Sequence, residues 1–481
     1  KPKFKISKKF HTKHFTRFLA KPFVISRFTF DSFTCRFDAA CRGAVANQVS
    51  SSSKHKRIIY HNRFLFLNYL YFSKSKPSIV YIILFISFLL TIFYVSIMWL
   101  YKNEWEEMEE IHILNEHPKT SVTVIIPARN EADNIGHLLQ DITLQIYPTD
   151  LMEVIIVDDY SEDETYTICQ KYTQEFSFIK VFKLQEILPE NTFTEAYKKK
   201  AIEQAVRLSS GSLIITTDAD CRLQQNWIHS IVSFYEKENC ALIAAPVGYY
   251  KEKTHFQHFQ ALDFCGMQAI TGAMINMEIF NMANGANLAY EKQAFLSVNG
   301  YQDIDQKASG DDMLLVYKIA KKFPKKVRFL KNRAAIVLTE PMQTVSTFLQ
   351  QRFRWTSKST SYQDKKVTLI LGLVYLFVSS IWINTLLFGG ALLNTLFLSE
   401  RTILDFISFL PAILYLILLI VQIICKSVID YYFLKSAATF FNRHDLMNTF
   451  FTSEILHIWY IPFVGTLGNI ISYKWKGRKL N

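Results

Sequence analysis

The chain has 481 residues, half of them hydrophobic, with 40 Phe and 24 Tyr. The apolar residues gather in long runs, which excludes a purely soluble protein and indicates a membrane protein with a soluble part. The formal charge of +12 does not describe the protein body: residues 1–76 carry 17 Lys and Arg against 2 Asp, and the remainder carries 37 basic and 40 acidic residues, so basicity is no ground for expecting nucleic acid as a partner.

Residues 1–76 show no clean periodicity, and Ser50–Ser53 reads as loop. No Met precedes Met98, and we expect the tail to be disordered or not native. Pro77–Tyr101 holds roughly 20 apolar residues without a charge, enough to cross a bilayer. Trp99 and Tyr101 stand at its end, where aromatic belts lie. Residues 102–120 form an acidic, polar linker. Residues 121–341 alternate strand and helix patterns. Strands are expected at 121–127, 152–159, 178–184 and 213–217, and helices at 135–146, 161–175 and 197–208. Ser161 with Glu164 three residues later suits a capping box. This alternation predicts parallel βαβ units with helices on both faces, and ligands at the carboxyl ends of the strands. Residues 342–366 are basic and amphipathic, as interfacial helices are. Apolar stretches follow near 367–397, 403–425 and 447–473. The last is interrupted by Pro462, Gly465 and Gly468, so either it is broken or re-entrant, or 427–441 also enters the membrane. The seven cysteines include no CxxC pair and read as reduced thiols of a cytoplasmic domain.

Several polar groups fall where such a sheet binds ligands. Pro127, Asn130 and Glu131 follow the first strand; they can read a base or ribose, or simply cap the next helix. Asp158 and Asp159 end the second strand. A carboxylate there can accept from a uracil N3–H, while the acids beyond also suit a helix N-terminus. Lys198, Lys199 and Lys200 open a helix, where cations are unfavourable; their partner is a phosphate or solvent. Asp218 and Asp220 follow the apolar run Leu213–Ile215 and flank Ala219. Such oxygens can hold a hard cation against a diphosphate, or cap a turn. Gly310-Asp311-Asp312 precedes an amphipathic helix, as its cap or with one carboxylate placed as a general base. Gln351, Arg354 and Trp355 share one helical face. They suit a diphosphate and a sugar ring, or mark a helix at the membrane surface.

The order of these groups is more specific than any one of them. Strand–PARNE, strand–DD, a Lys-rich helix, strand–DAD, GANLAYEK (285–292), GDD and QRFRW before membrane spans strongly resembles the membrane-bound family 2 glycosyltransferases, over about residues 77–481. The resemblance implies a GT-A domain, which is a Rossmann-like, nucleotide-sugar-binding α/β fold, together with transmembrane α-helices. It implies that Asp159, with Asp158 beside it, contacts uracil, and that Pro127, Asn130 and Glu131 belong to the donor nucleotide site. Lys198 fits the family's Gly-Lys stretch, with Tyr197 in place of the Gly. Asp218 and Asp220 match the acids that contact UDP and its Mg²⁺ or Mn²⁺. Asp312 matches the general base, although Gly310-Asp311 replaces Thr-Glu. Gln351, Arg354 and Trp355, with Asp311, match the acceptor and diphosphate positions.

The implied activity is inverting transfer from a UDP-sugar to a membrane-associated lipid or glycan. Nucleotide sugars are cytosolic, so 102–366 is expected on the cytoplasmic side of a multi-pass protein of the cell membrane. The basic run Arg352, Arg354, Lys358, Lys365 and Lys366 agrees with positive-inside placement. The ending KWKGRK and the short C-terminal membrane set favour one sugar added to a lipid. QxxRW favours a processive β-polysaccharide synthase. A silent partner in a glycan-assembly complex would be expected to have lost acids, and all of them are present.

Overall fold

The computed structural model describes residues 77–112, 115–188, 196–279, 282–304, 310–357, 364–398, 405–468, 470–471, 473–475 and 478–480. The basic tail and the expectation of its disorder lie outside them. Helix α1 runs over Pro77–Glu107. Its C-terminal end is fastened to the soluble domain, because the buried Lys331 ammonium donates to the Trp105 and Met108 carbonyls at 2.6 and 2.9 Å. Those are the carbonyls that a helix end leaves unpaired.

The soluble domain begins with β1 (Val122–Ala128), α2 (Ile135–Thr143), β2 (Met152–Asp158), α3 (Thr165–Glu175) and β3 (Ile179–Lys183). After them come α4 (Leu184–Ile187), α5 (Tyr197–Leu208), β4 (Leu213–Thr216) and α6 (Trp227–Glu238). β3, β2, β1 and β4 lie side by side and parallel, with Ala128 opposite Asp158 and Ile125 opposite Thr216. Their apolar runs are continuous because both faces are covered; Val124–Ile126 and Val154–Val157 are fully buried.

Two expectations change here. Ser161 does not cap α3, which starts at Thr165. Its hydroxyl instead accepts from the Asn130 N–H across the loops, and Asp163 takes the Thr165 N–H. Nor is the sheet wholly parallel. β5 (Leu242–Ala244), β6 (Val247–Tyr249), α7 (His255–Asn276), β7 (Leu288–Glu291), α8 (Lys292–Ser297), α9 (Asp311–Lys322) and β8 (Val327–Phe329) complete the order β3-β2-β1-β4-β7-β5-β8. Within it β7 runs antiparallel to both neighbours. Just before β7, Asn287 is fully buried; it donates to the Pro246 and Ala335 carbonyls and accepts from the Trp227 indole.

β9 (Val337–Thr339) pairs with β6, and α10 (Val345–Thr356) follows with a Thr344–Thr347 capping box. The remaining elements are α11 (Lys365–Leu398), α12 (Asp405–Phe440), α13 (Phe450–Leu467) and the short pair β10 (Tyr473–Trp475) and β11 (Arg478–Leu480). Among the described residues three helices are long and apolar enough to cross a membrane, at 79–107, 365–396 and 409–440. The apolar stretch expected at 403–425 and the segment 427–441 thus share one helix, Asp405–Phe440. The stretch 447–473 yields only the 18 residues of α13, whose inner face carries buried Ser453 and Glu454. The 22-residue α7 joins the two regions, packing on β6 and β8 and on α1, α12 and α13.

Candidate functional site

The parallel strands β1, β2 and β4 deliver their carboxyl ends to one edge of the sheet. Pro127 is part-buried in β1, opposite Val157. The next residues lock two loops together. Asn130 takes a left-handed φ of 50°, and its side-chain carbonyl accepts from the Glu162 N–H at 2.9 Å. Glu131 is buried; its N–H donates to Thr165 Oγ1 and its carboxylate accepts from Asn134. Arg129 donates to the Asp159 and Tyr160 carbonyls at 2.7 and 3.0 Å. Sequence reasoning passed over that arginine, because its partners are backbone atoms of another loop.

Asp158 and Asp159 are both buried. Asp158 Oδ2 accepts from the Ser161 N–H, while its Oδ1 is buried with no hydrogen-bond partner. Such an atom costs stability unless a ligand or water satisfies it. Tyr160 packs edge-on against Tyr197 at 5.7 Å, bringing this loop to the start of α5.

There the three lysines separate. Lys198 donates to Asp218 Oδ1 at 2.6 Å, with both side chains about one-third exposed. Lys199 is fully buried and donates to the Ile304 carbonyl at 2.6 Å. Lys200 pairs with Glu203 at 3.1 Å. The unfavourable helix start is thus answered by oxygen partners, and one of them is the first acid of DAD. Asp218 and Asp220 are part-exposed around buried Ala219. The adjacent Cys221 thiol is pushed up by burial and by both carboxylates.

Among the described residues no group of three or more His, Cys, Asp or Glu is placed to hold a metal ion. A full protein cage is not required. Mg²⁺ and its like are commonly held by one or two carboxylates plus substrate phosphates and water, and two part-exposed carboxylates at the sheet edge fit that donor set.

The other predicted residues divide between two places. Asp312 lies in the first turn of α9, behind Gly310 at φ +85°, and its Oδ1 accepts from the Met313 N–H at 2.7 Å. The side chain of Asp311 and residues 305–309 lie outside the described residues. Gln351, Arg354 and Trp355 lie on α10, as their spacing predicts. Gln351 is buried. Trp355 stacks on Phe264, which stacks on Tyr249, a residue no sequence pattern singled out. Arg352, expected in a basic run facing the membrane surface, is instead 4% exposed and ion-paired with Asp263 at 2.8 Å.

The chain matches Glycosyl transferase family 2 over residues 123–292 and Glycosyl transferase family group 2 over residues 213–459. It is 35% identical over 112 residues to glycosyltransferase AglE of Haloferax volcanii, covering 23% of this chain and 34% of that protein. It is 26% identical over 247 residues to the probable glycosyltransferase YdaM of Bacillus subtilis, covering 50% of this chain and 55% of that protein. It is 25% identical over 122 residues to β-monoglucosyldiacylglycerol synthase of Trichormus variabilis, covering 25% of each. The chain thus spans little more than half, at most, of the length of these curated relatives. With a mixed sheet that gathers its acids at one edge, and a family match running from β4 into the membrane helices, the chain belongs to the family 2 glycosyltransferases, with a GT-A-like domain and helices able to cross a membrane.

Proposed function

We propose that the protein transfers a single sugar, with inversion, from a UDP-sugar to a membrane-associated acceptor, most simply a lipid, at the cytoplasmic face of the cell membrane. The observation that carries this reading is the Lys198–Asp218 contact, a cation and a part-exposed carboxylate at the sheet edge where β1, β2 and β4 end. Asp158, with its unpartnered buried oxygen, and Asp159 receive the base, aided by Pro127, Asn130 and Glu131. Asp218 and Asp220 would hold Mg²⁺ or Mn²⁺, which supplies charge neutralisation of the departing diphosphate. Lys198 exchanges its carboxylate partner for a phosphate oxygen as the donor enters.

Asp312 takes the proton from the acceptor hydroxyl as that oxygen attacks the anomeric carbon. This role comes from the family resemblance and is worth on the order of 10²–10⁴-fold. Trp355, part-exposed on α10, faces the acceptor sugar or headgroup together with Arg354 and Asp311. A lipid acceptor is supported by the three spanning-length helices, two of which, α1 and α12, pack on α7, and by the likeness to a glucosyldiacylglycerol synthase.

The test uses membranes containing the full chain, a panel of UDP-sugars, and mass spectrometry of lipids and polymers. Metal-dependent UDP release with one sugar added to a lipid is the expected result. A ladder of products would reassign the protein as a polysaccharide synthase. No UDP release from any donor would leave a non-catalytic membrane partner. Asp312→Asn is expected to remove most turnover while UDP binding stays near normal; equal losses in both would remove Asp312 from the base role.

A further inference from the structure

Arg352 is not part of the QxxRW pattern, yet it is the most enclosed charge on α10. Its guanidinium and the Asp263 carboxylate are 4% and 8% exposed and lie 2.8 Å apart. The Tyr460 hydroxyl, on α13, donates to both Asp263 oxygens at 3.0 and 3.1 Å. The guanidinium lies 4.4 Å from the centre of the Trp355 ring and 4.7 Å from that of Phe348. Trp355 in turn stacks on Phe264 at 6.1 Å, and Phe264 on Tyr249 at 4.5 Å. Ring contacts thus run from Tyr249 through Phe264 to Trp355, and the Arg352–Asp263 pair links Trp355 to Tyr460 on α13.

Burying an ion pair is a poor way to gain stability. The desolvation of both charges offsets most of their attraction, and apolar replacements of similar volume are often neutral or better. What such a pair does supply is one fixed geometry, because a planar guanidinium bound to a carboxylate can stack on an aromatic face in few ways. We propose that Asp263 and Arg352 are positioning residues, a clamp that holds the Trp355 ring at the acceptor side of the site and ties its setting to α13. This rests on the reading above that Trp355 meets the acceptor.

The test uses the full chain in membranes, with the donor and acceptor that the wild type turns over. Arg352→Met alone leaves a buried carboxylate and is expected to fold poorly. Asp263→Asn with Arg352→Met removes both charges and keeps the volume, so its Tm should stay near that of the wild type. Arg352→Lys keeps the ion pair and loses the flat stack. In both, the acceptor KM is expected to rise about 3- to 30-fold, the range a lost cation–π contact allows, while the UDP dissociation constant and donor KM hold. An unchanged acceptor KM in the double variant overturns the clamp, as do donor and acceptor constants that worsen together. A wild type that transfers no sugar at all overturns the functional reading itself, which separates the two failures.

Discussion

At 2.6 Å from Asp218, the Lys198 ammonium stands at a helix start that electrostatics disfavours. Both partners are about one-third exposed, so the pair contributes only roughly 0–1 kcal/mol to folding. In the proposed donor site its value to a phosphate would be larger, because hydrogen bonds to charged groups are worth about 1.5–3 kcal/mol. Lys198→Met is therefore expected to leave Tm almost unchanged and to lower kcat/KM for the donor by on the order of 10- to 100-fold, measured as UDP release. A Tm that falls with the rate would show a structural lysine. Lys198 drew notice in the sequence because three lysines opening a helix break a local rule, and such violations collect at functional sites. Arg352 was not: nothing in QRFRW separates an arginine facing lipid headgroups from one paired with Asp263, since that carboxylate lies on α7, far away in sequence. Asp263 and Tyr460 escaped for the same reason.

Elements were legible where apolar runs repeat. β1, β2 and β4 declared themselves through unbroken hydrophobic stretches, and α5 fell on its expected residues because its buried positions recur at helical spacing. β7 did not reveal its direction, because a strand's own residues do not fix whether it runs parallel or antiparallel to its neighbours. The sheet also holds a carboxylate that titrates. Glu153 in β2 accepts from Lys180, from the Ser210 N–H and from Thr123, each at 2.7 Å, and Thr123 in turn holds Gly211. An added Cβ at Gly211 would come within 2.5 Å of the Thr123 backbone N, so that approach needs glycine. Burial raises the Glu153 carboxyl, but the Lys180 ammonium and the Ser210 and Thr123 donors outweigh it and hold it below its ordinary value. A depressed carboxyl stabilises the fold above its unfolded value, about pH 4.3, and loses that contribution as pH falls through the lower folded value. Glu153→Gln is thus expected to lower stability by on the order of 1–3 kcal/mol at neutral pH. The gap should close in strong acid, as read by thermal melts across pH. A gap that stays constant with pH would assign the effect to packing alone.

At the scale of the whole molecule, hydropathy marked the three spanning-length helices but not what joins them. The Tyr94 ring in α1 stacks on Phe377 of α11 at 4.3 Å, and its hydroxyl lies 2.8 Å from both Asp430 oxygens of α12. Lys426, fully buried, donates to Asp430 at 2.7 Å and to Glu454 of α13 at 2.6 Å. One polar hub therefore ties all three spanning-length helices to α13, the helix that also carries Tyr460 to the Asp263–Arg352 pair. Charges in such surroundings persist only when paired. Removing the one cation strands two carboxylates, so Lys426→Met is expected to destabilise the full chain by roughly 3–5 kcal/mol, seen as a lower Tm and poor recovery from membranes. Neutralising the set, with Lys426→Met, Asp430→Asn and Glu454→Gln together, should restore most of that loss, because uncharged partners of similar shape carry no comparable desolvation cost. If the single variant melts like the wild type, the hub does not hold the bundle together. If the triple variant melts like the single one, the loss comes from lysine packing and not from unpaired charge.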